Sequence, residues 1–469
     1  MPRHPPFKRC PSPPRSLPSP SQVTALLQRL NRTADRFSVI TAGPIHPDFP
    51  GGAVETYRLG NGLQVLLQVD GRAPVLSYNV WFRVGSRNAR EGKTGLAHLF
   101  EHLMFNETKL LPAGRFDQML ERAGAETNAA TWTDWTFYYE NIPADQLPLV
   151  VKLESDRMRN LVLRAKPVAS EKEVVANERR YRVEDDVDGA VSETLWSLAF
   201  KEHPYHHPTI GWMADIENFT PADCREFYKT WYAPNNATVV LVGDLDRAKA
   251  LRLIQRYYGA MRPAKLPEVQ VPREPVQTEH RLAVLERPTP TAKVALGFKC
   301  PEFSHPDHAA LSVLVEALTG GRSARLYREL VTEQEIATDI SGWASTFRDP
   351  GLVEISATGR GPVQPEALRE AIERCLASVA ADPISDDERD RAVARLELGF
   401  LRGLETVGGR AESIGFHSVV IDDPVGSVAR MEAIRSLSAE ALQDVARRYL
   451  FGQPCTAVLV RSNLTPGAA

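Results

Sequence analysis

At 469 residues, with 43% hydrophobic and 25% charged side chains, the chain holds enough apolar material for two or more cores, which excludes a largely disordered polymer. Its formal charge of -3, with lysine and arginine scattered along the text, supplies no basic field and excludes nucleic acid as the main partner. No apolar run approaches the roughly 18 residues of a transmembrane segment. The five cysteines, Cys10, Cys224, Cys300, Cys375 and Cys455, are too widely spaced for a zinc ribbon or a dense disulfide framework.

The chain opens MPRHPPFKRCPSPPRSLPSP, basic and proline-rich, without the apolar centre of a secretory signal. Residues 1–52 are therefore expected to be irregular or laid along a neighbouring surface. From Val54, ETYRLGNGLQVLLQVD reads as a hairpin turning at Gly60-Asn61-Gly62. Residues 75–85 are a third strand-like run. Residues 94–105, TGLAHLFEHLMF, change to helical periodicity, with Leu96, Leu99, Leu103 and Met104 at core spacing and Thr94 as N-cap. Helices are expected over 113–123, 147–161 and 170–183, and residues 135–142 alternate like a strand.

Residues 261–280 carry four prolines and read as an extended tether. They divide a domain over 53–262 from a second over 284–469, with 263–283 as linker. Residues 217–246 and 435–462 repeat weakly, each as helix, turn and buried strand. A repeated half-chain predicts an α+β fold of two homologous domains, each a mixed, largely antiparallel sheet with helices packed on one face.

The sharpest chemical feature is His98-Leu99-Phe100-Glu101-His102. Residues i and i+4 of a helix share a face, so the two imidazoles can grip one zinc ion. Glu101 precedes the second histidine and reaches toward water on that ion as a general base. Such a pentad arises by chance in roughly one or two chains of this length per hundred, and a half-buried helix whose histidines bond to neighbours is the alternative. A catalytic zinc takes three protein ligands, so the third lies elsewhere. Within 167–185, Glu171 and Glu178 stand two turns apart on one helix face. One can ligate while the other holds a histidine; a solvated glutamate-rich face is the competing reading.

Taken together, these segments resemble the inverzincin, or pitrilysin-like, zinc metallopeptidases, the family of insulin-degrading enzyme and mitochondrial processing peptidase. GLAHLFEHLMFNETKLLP (95–112) is similar to the family's zinc helix and the loop after it, and GAETNAATWTDWTFYYENI (124–142) to its edge strand. HPYHHPTIG (203–211) is similar to a segment that is usually structural. The likeness covers residues 54–462. It implies one Zn2+ per chain held by His98, His102 and Glu178, with Glu101 as catalytic base and Glu171 completing the catalytic set by holding a ligating histidine. It also implies that Asn128 and Ala129 bind the substrate backbone, a role that suits an edge strand because extended peptides pair with it through main-chain hydrogen bonds. His203, His206 and His207 lack a carboxylate at ligand spacing, and proline breaks their segment, so a second metal is not expected there.

In GGRSARLYRELVTEQEIATDIS (320–341), complete relatives carry an arginine and, seven residues on, a tyrosine. Val331 and Thr338 occupy those positions and cannot stabilise an oxyanion as a guanidinium does. The resemblance therefore implies a split, two-subunit bacterial type: a metalloendopeptidase cleaving peptides as a heterodimer, this chain carrying zinc and a homologous zinc-free subunit supplying the Arg/Tyr pair. The alternative is a non-catalytic or processing-peptidase-type subunit of a larger complex. Split-type relatives are often exported, so the expected compartment is the periplasm, with the cytoplasm as alternative.

Overall fold

The computed structural model describes residues 17–379 and 381–464. Its first half contains β1 (Ile40–His46), β2 (Val54–Leu59), β3 (Gln64–Val69), β4 (Val75–Phe82), β5 (Glu126–Thr131), β6 (Thr136–Pro143) and β7 (Ala237–Gly243). With them come the helices α1 (Pro20–Leu30), α2 (Leu96–Leu103), α3 (Arg115–Arg122), α4 (Leu147–Asn160), α5 (Ala165–Arg179), α6 (Val187–Ala199), α7 (Met213–Glu217), α8 (Pro221–Trp231) and α9 (Arg247–Tyr258). The second half has β8 (Arg281–Arg287), β9 (Lys293–Cys300), β10 (Ala337–Ala344), β11 (Gly351–Gly359) and β12 (Cys455–Ser462). Its helices are α10 (Pro306–Thr319), α11 (Arg325–Tyr327), α12 (Pro365–Ser378), α13 (Asp386–Gly403), α14 (Val407–Val420), α15 (Gly426–Arg435) and α16 (Ala439–Tyr449).

The first sheet runs β1-β2-β3-β7-β4-β6-β5, and the second, read from its far side, β8-β12-β9-β11-β10. These five strands match the last five of the first sheet. In both, the last strand in chain order is flanked alike: β7 is parallel to β3 and antiparallel to β4, as β12 is to β8 and β9. β7, ATVVLVG, is buried along its whole length, the pattern of a central strand covered on both faces. The two halves are therefore copies of one mixed α+β unit, as the weak repeat in the text implies.

The fold class is as expected, and the second face of each sheet is covered as well. The second covering helix comes from the other half. α14 lies on β4 and β7 of the first sheet, where Ala411, Ile414 and Val419 meet Val54, Leu66, Trp81, Phe137, Val240 and Val242. In return α6 lies on β8, β9 and β12, packing Val191, Leu195 and Ala199 against Ala295, Leu352, Val458 and Val460. A Cβ on Gly415 would stand 2.0 Å from Trp81 Nε1, so α14 approaches the sheet this closely only because that position is glycine.

The exchange also buries a carboxyl. Glu354 of β11 is 8% exposed and accepts from Trp196 Nε1 of α6 at 2.8 Å. Burial raises its pKa to about 7 against the opposing bonds from Trp196 and Trp343. Because the folded value lies above the ordinary one, ionisation works against folding as pH rises from the unfolded pKa through about 7. Glu354→Gln keeps the acceptor for Trp196 and removes the charge. It is expected to stabilise the protein by on the order of 2–3 kcal/mol at about pH 8 and by little at about pH 5, visible as a rise in melting midpoint at the higher pH alone. An unchanged midpoint at both would show that Glu354 reaches water in the folded state.

One correction concerns the start. Within 17–52, α1 and β1 are regular, and β1 pairs antiparallel with β2. Ser19 forms a capping box with Gln22, with Pro20 in the first turn, and Val23 and Leu30 are buried. Residues 1–16 lie outside the described set. Residues 263–280 contain no helix or strand, and β8 begins at Arg281, ahead of the expected boundary at 284.

Candidate metal centre and active site

α2 begins one residue later than expected. Gly95 is its N-cap at φ 86°, and a Cβ there would stand 2.2 Å from the Ile210 carbonyl oxygen. Thr94 gives its amide and hydroxyl to Asp215 and accepts from the Trp212 amide. Leu96, Ala97, Leu99, Phe100 and Leu103 are buried in the first core. That leaves His98 and His102, one turn apart and half-buried, on the flank that meets α5.

From α5, Glu178 Oε2 lies 3.7 Å from His98 Nε2 and 3.4 Å from His102 Nε2. One donor atom from each of the three comes within 4.8 Å of the others. Two donors at about 2.0–2.1 Å from one tetrahedral zinc ion stand about 3.4 Å apart, so these separations suit a shared ion better than direct hydrogen bonds. Among the described residues no other group of three His, Cys, Asp or Glu side chains is so placed. His98 Nδ1 is buried without a partner among them. The donor set fits zinc.

Glu171 stands behind His102, its Oε2 3.7 Å from Nδ1, while its Oε1 accepts from Asn106 Nδ2 at 3.2 Å. Burial opposes charge on both imidazoles. For His98 burial wins, and the pKa falls to about 4. For His102 the two glutamates outweigh burial and hold the pKa up at about 9. The same contacts with His102 lower the pKa of Glu171 and Glu178, and Arg182 adds an ion pair to Glu178 at 3.0 Å. Two carboxylates thus surround the histidine pair with negative charge, a setting that favours a cation.

Glu101 turns toward β5. Burial raises its pKa while the neighbouring Thr131 acts the other way, and its Oε2 is buried without a partner among the described residues. β5 ends the sheet, so its outer edge pairs with no strand among the described residues. Asn128 and Ala130 lie opposite Tyr139 and Phe137 of β6 and line a cavity of about 990 Å3 between the halves. Ala129 packs toward the first core, and its amide donates to Asn128 Oδ1 at 2.9 Å. A peptide joining this edge would lie beside Glu101, with alternate side chains on the two faces.

Val331 is buried in the second core, and Thr338 of β10 donates to the Thr358 carbonyl. His203 accepts the Tyr205 amide and bonds Asp349 at 3.1 Å, while His206 stacks near Trp212. These histidines serve the fold. Asn106, Thr131 and Arg182 touch the centre and escape a motif reading. Only Arg182, four residues after Glu178, carries a local signal.

Residues 64–212 match the family model described as Insulinase (Peptidase family M16), and residues 218–396 the model described as Peptidase M16 inactive domain. The chain is 31% identical over 411 residues to the zinc protease PqqE of Helicobacter pylori, spanning 87% of this chain and 92% of that protein. A protease from Helicobacter pylori of solved structure has a TM-score of 0.82 at 31% identity, covering 87% of this chain and 99% of that one. The periplasmic protease PqqL of Escherichia coli shares the fold at a TM-score of 0.73 and 20% identity, over 91% of this chain and 50% of that one. With a relative this similar along nearly its whole length, and the centre lying in the part that matches the insulinase model, the chain belongs to peptidase family M16, the insulinase family.

Proposed function

We propose that this chain is the zinc-carrying subunit of a heterodimeric metalloendopeptidase, with His98, His102 and Glu178 as ligands. The carrying observation is the buried Glu101 oxygen, unpaired among the described residues, beside three donors at zinc spacing and beside the outer edge of the sheet. Zinc held there supplies Lewis-acid catalysis and lowers the pKa of water within its reach. Glu101 takes the proton of the attacking water and passes it to the departing amine. Glu171 orients His102 through Nδ1, and the edge at Asn128 and Ala129 holds the peptide main chain against the base. With Val331 buried and Thr338 in place of a phenol, the donors that meet the developing oxyanion come from a homologous zinc-free subunit. The match to half the length of PqqL supports an assembly of two such units.

The test is hydrolysis of a quenched fluorescent peptide by the zinc-loaded chain, alone and mixed with a zinc-free homologue bearing the Arg/Tyr pair. Turnover is expected only from the mixture, to vanish with a chelator and to return with zinc. Full turnover by the single chain would end the shared-site reading. A zinc-loaded mixture that cleaves no peptide would end the peptidase reading itself.

A further inference from the structure

The cavity beyond Asn128 and Ala130 holds a cation that the proposed mechanism does not use. Its walls include Phe137 and Tyr139 on the first sheet and Phe303, Phe400 and Phe416 opposite. Arg430 of α15 lies along this lining, its guanidinium carbon 4.5 Å from the centre of the Phe303 ring. Nη2 donates to His308 Nδ1 at 2.9 Å and Ser312 Oγ at 2.7 Å, with the His308 carbonyl at 3.4 Å. Nε and Nη1 have no acceptor, and no carboxylate pairs with the group, among the described residues. Burial alone acts on its pKa, bringing it down to about 10.

The neighbours do not supply the missing charge. His308 gives Nε2–H to the Ser345 carbonyl at 2.9 Å, so its Nδ1 faces Arg430 as a lone pair, and burial together with Arg430 holds its pKa at about 4. His417 gives Nδ1–H to the Ser413 carbonyl at 2.8 Å and is held by burial at about 4. Glu412 of α14 also lines the cavity and acts on the Tyr139 hydroxyl. Ser427, 6% exposed and also in the lining, has a buried Oγ without a partner among the described residues. Arg430 is half-buried, and partial burial of a guanidinium without a counter-charge is costly. Here it stands with a spare hydroxyl in a cavity that opens onto a substrate-binding strand.

A peptide paired to β5 sends every second side chain to the face of Asn128 and Ala130, into this space. We infer that the cavity receives a carboxylate of the peptide substrate, its C-terminus or an Asp/Glu side chain, with Arg430 as the residue that selects it and Ser427 as a further donor. This inference rests on the peptidase reading.

Binding without turnover tests it. Fluorescent peptides of one sequence, ending in a carboxylate or an amide and carrying Glu or Gln internally, are titrated by anisotropy into the zinc-loaded Glu101→Gln chain. Peptides with the recognised carboxylate are expected to bind at least about tenfold tighter than the fully neutral one. The arm whose neutralisation removes the gain identifies the source. Arg430→Met should bring the acidic peptides to the neutral level and leave the neutral peptide unchanged, while Arg430→Lys keeps part of the preference. Equal binding of all four peptides by the Arg430 protein, or no binding of any, overturns the inference whatever the variants' folding. So does a preference surviving in Arg430→Met. Hydrolysis of the same peptides by the two-subunit mixture is scored separately: carboxylate preference without cleavage counts against the peptidase reading and leaves the carboxylate site standing.

Discussion

Glu101→Gln is expected to lower peptide hydrolysis by roughly 100- to 10,000-fold, the range of a lost general base, with zinc content unchanged. Glutamine has the same shape as glutamate, so the packing of α2 against the first core and the approach to Thr131 are preserved. What is lost is the capacity to accept a proton from water. Glu178→Gln is the informative contrast. Its Oε2 lies between both imidazoles, so that variant should lose metal and activity together. Metal analysis after dialysis, beside the peptide assay, separates the two. Turnover in Glu101→Gln within about threefold of the parent would remove Glu101 from the base role. Loss of zinc from it would make Glu101 a ligand.

The histidine pair and the two glutamates were legible because helical spacing fixes faces locally: four residues for one pair, seven for the other. Which glutamate ligates was not in the spacing. The assignment of Glu178 as ligand is what the family resemblance implies; in the structure Glu178 lies toward both Nε2 atoms while Glu171 lies toward Nδ1 of His102 alone. The hairpin at Gly60-Asn61-Gly62 follows from turn chemistry, and β2 and β3 pair across it. Thr131 and Asn106 depend on where β5 and the loop after α2 come to rest, which no local rule states. The exchange of α6 and α14 was illegible for a related reason. An apolar strand face such as Leu66, Trp81 and Val240 declares that it must be covered, and says nothing of which segment covers it. α1 was missed for a different reason: the composition of the leader outweighed a local signal, Ser19-Pro20 with Gln22 at N3 and Val23 and Leu30 on one face, that was present in the text.

The first core also contains the site where one substitution should cost most in stability. Arg157 of α4 is 0% exposed, with Glu140 at 0% and Glu154 at 2%. Its Nε bonds Glu154 at 3.0 Å, its Nη2 lies 3.3 Å from Glu140, and its guanidinium sits over the rings of Tyr138 and Phe116 at 4.4 and 4.5 Å. Burial first, and then Glu154, push the pKa of Glu140 far up, so Glu140 keeps its proton and the cluster balances as one cation and one anion. Arg157→Met strands the remaining anion away from water, for which breaking a buried pair costs roughly 3–5 kcal/mol. At about 2–4 °C per kcal/mol for a unit of this size, the melting midpoint should fall by roughly 6–20 °C. The balance argument makes a stricter demand. Adding Glu154→Gln to Arg157→Met removes the stranded charge and should restore a large part of the loss, since replacing a whole buried pair is often near neutral. If the double variant melts as low as Arg157→Met alone, the stability lies in the guanidinium's packing against Phe105, Phe116 and Tyr138, and the electrostatic account of this core fails.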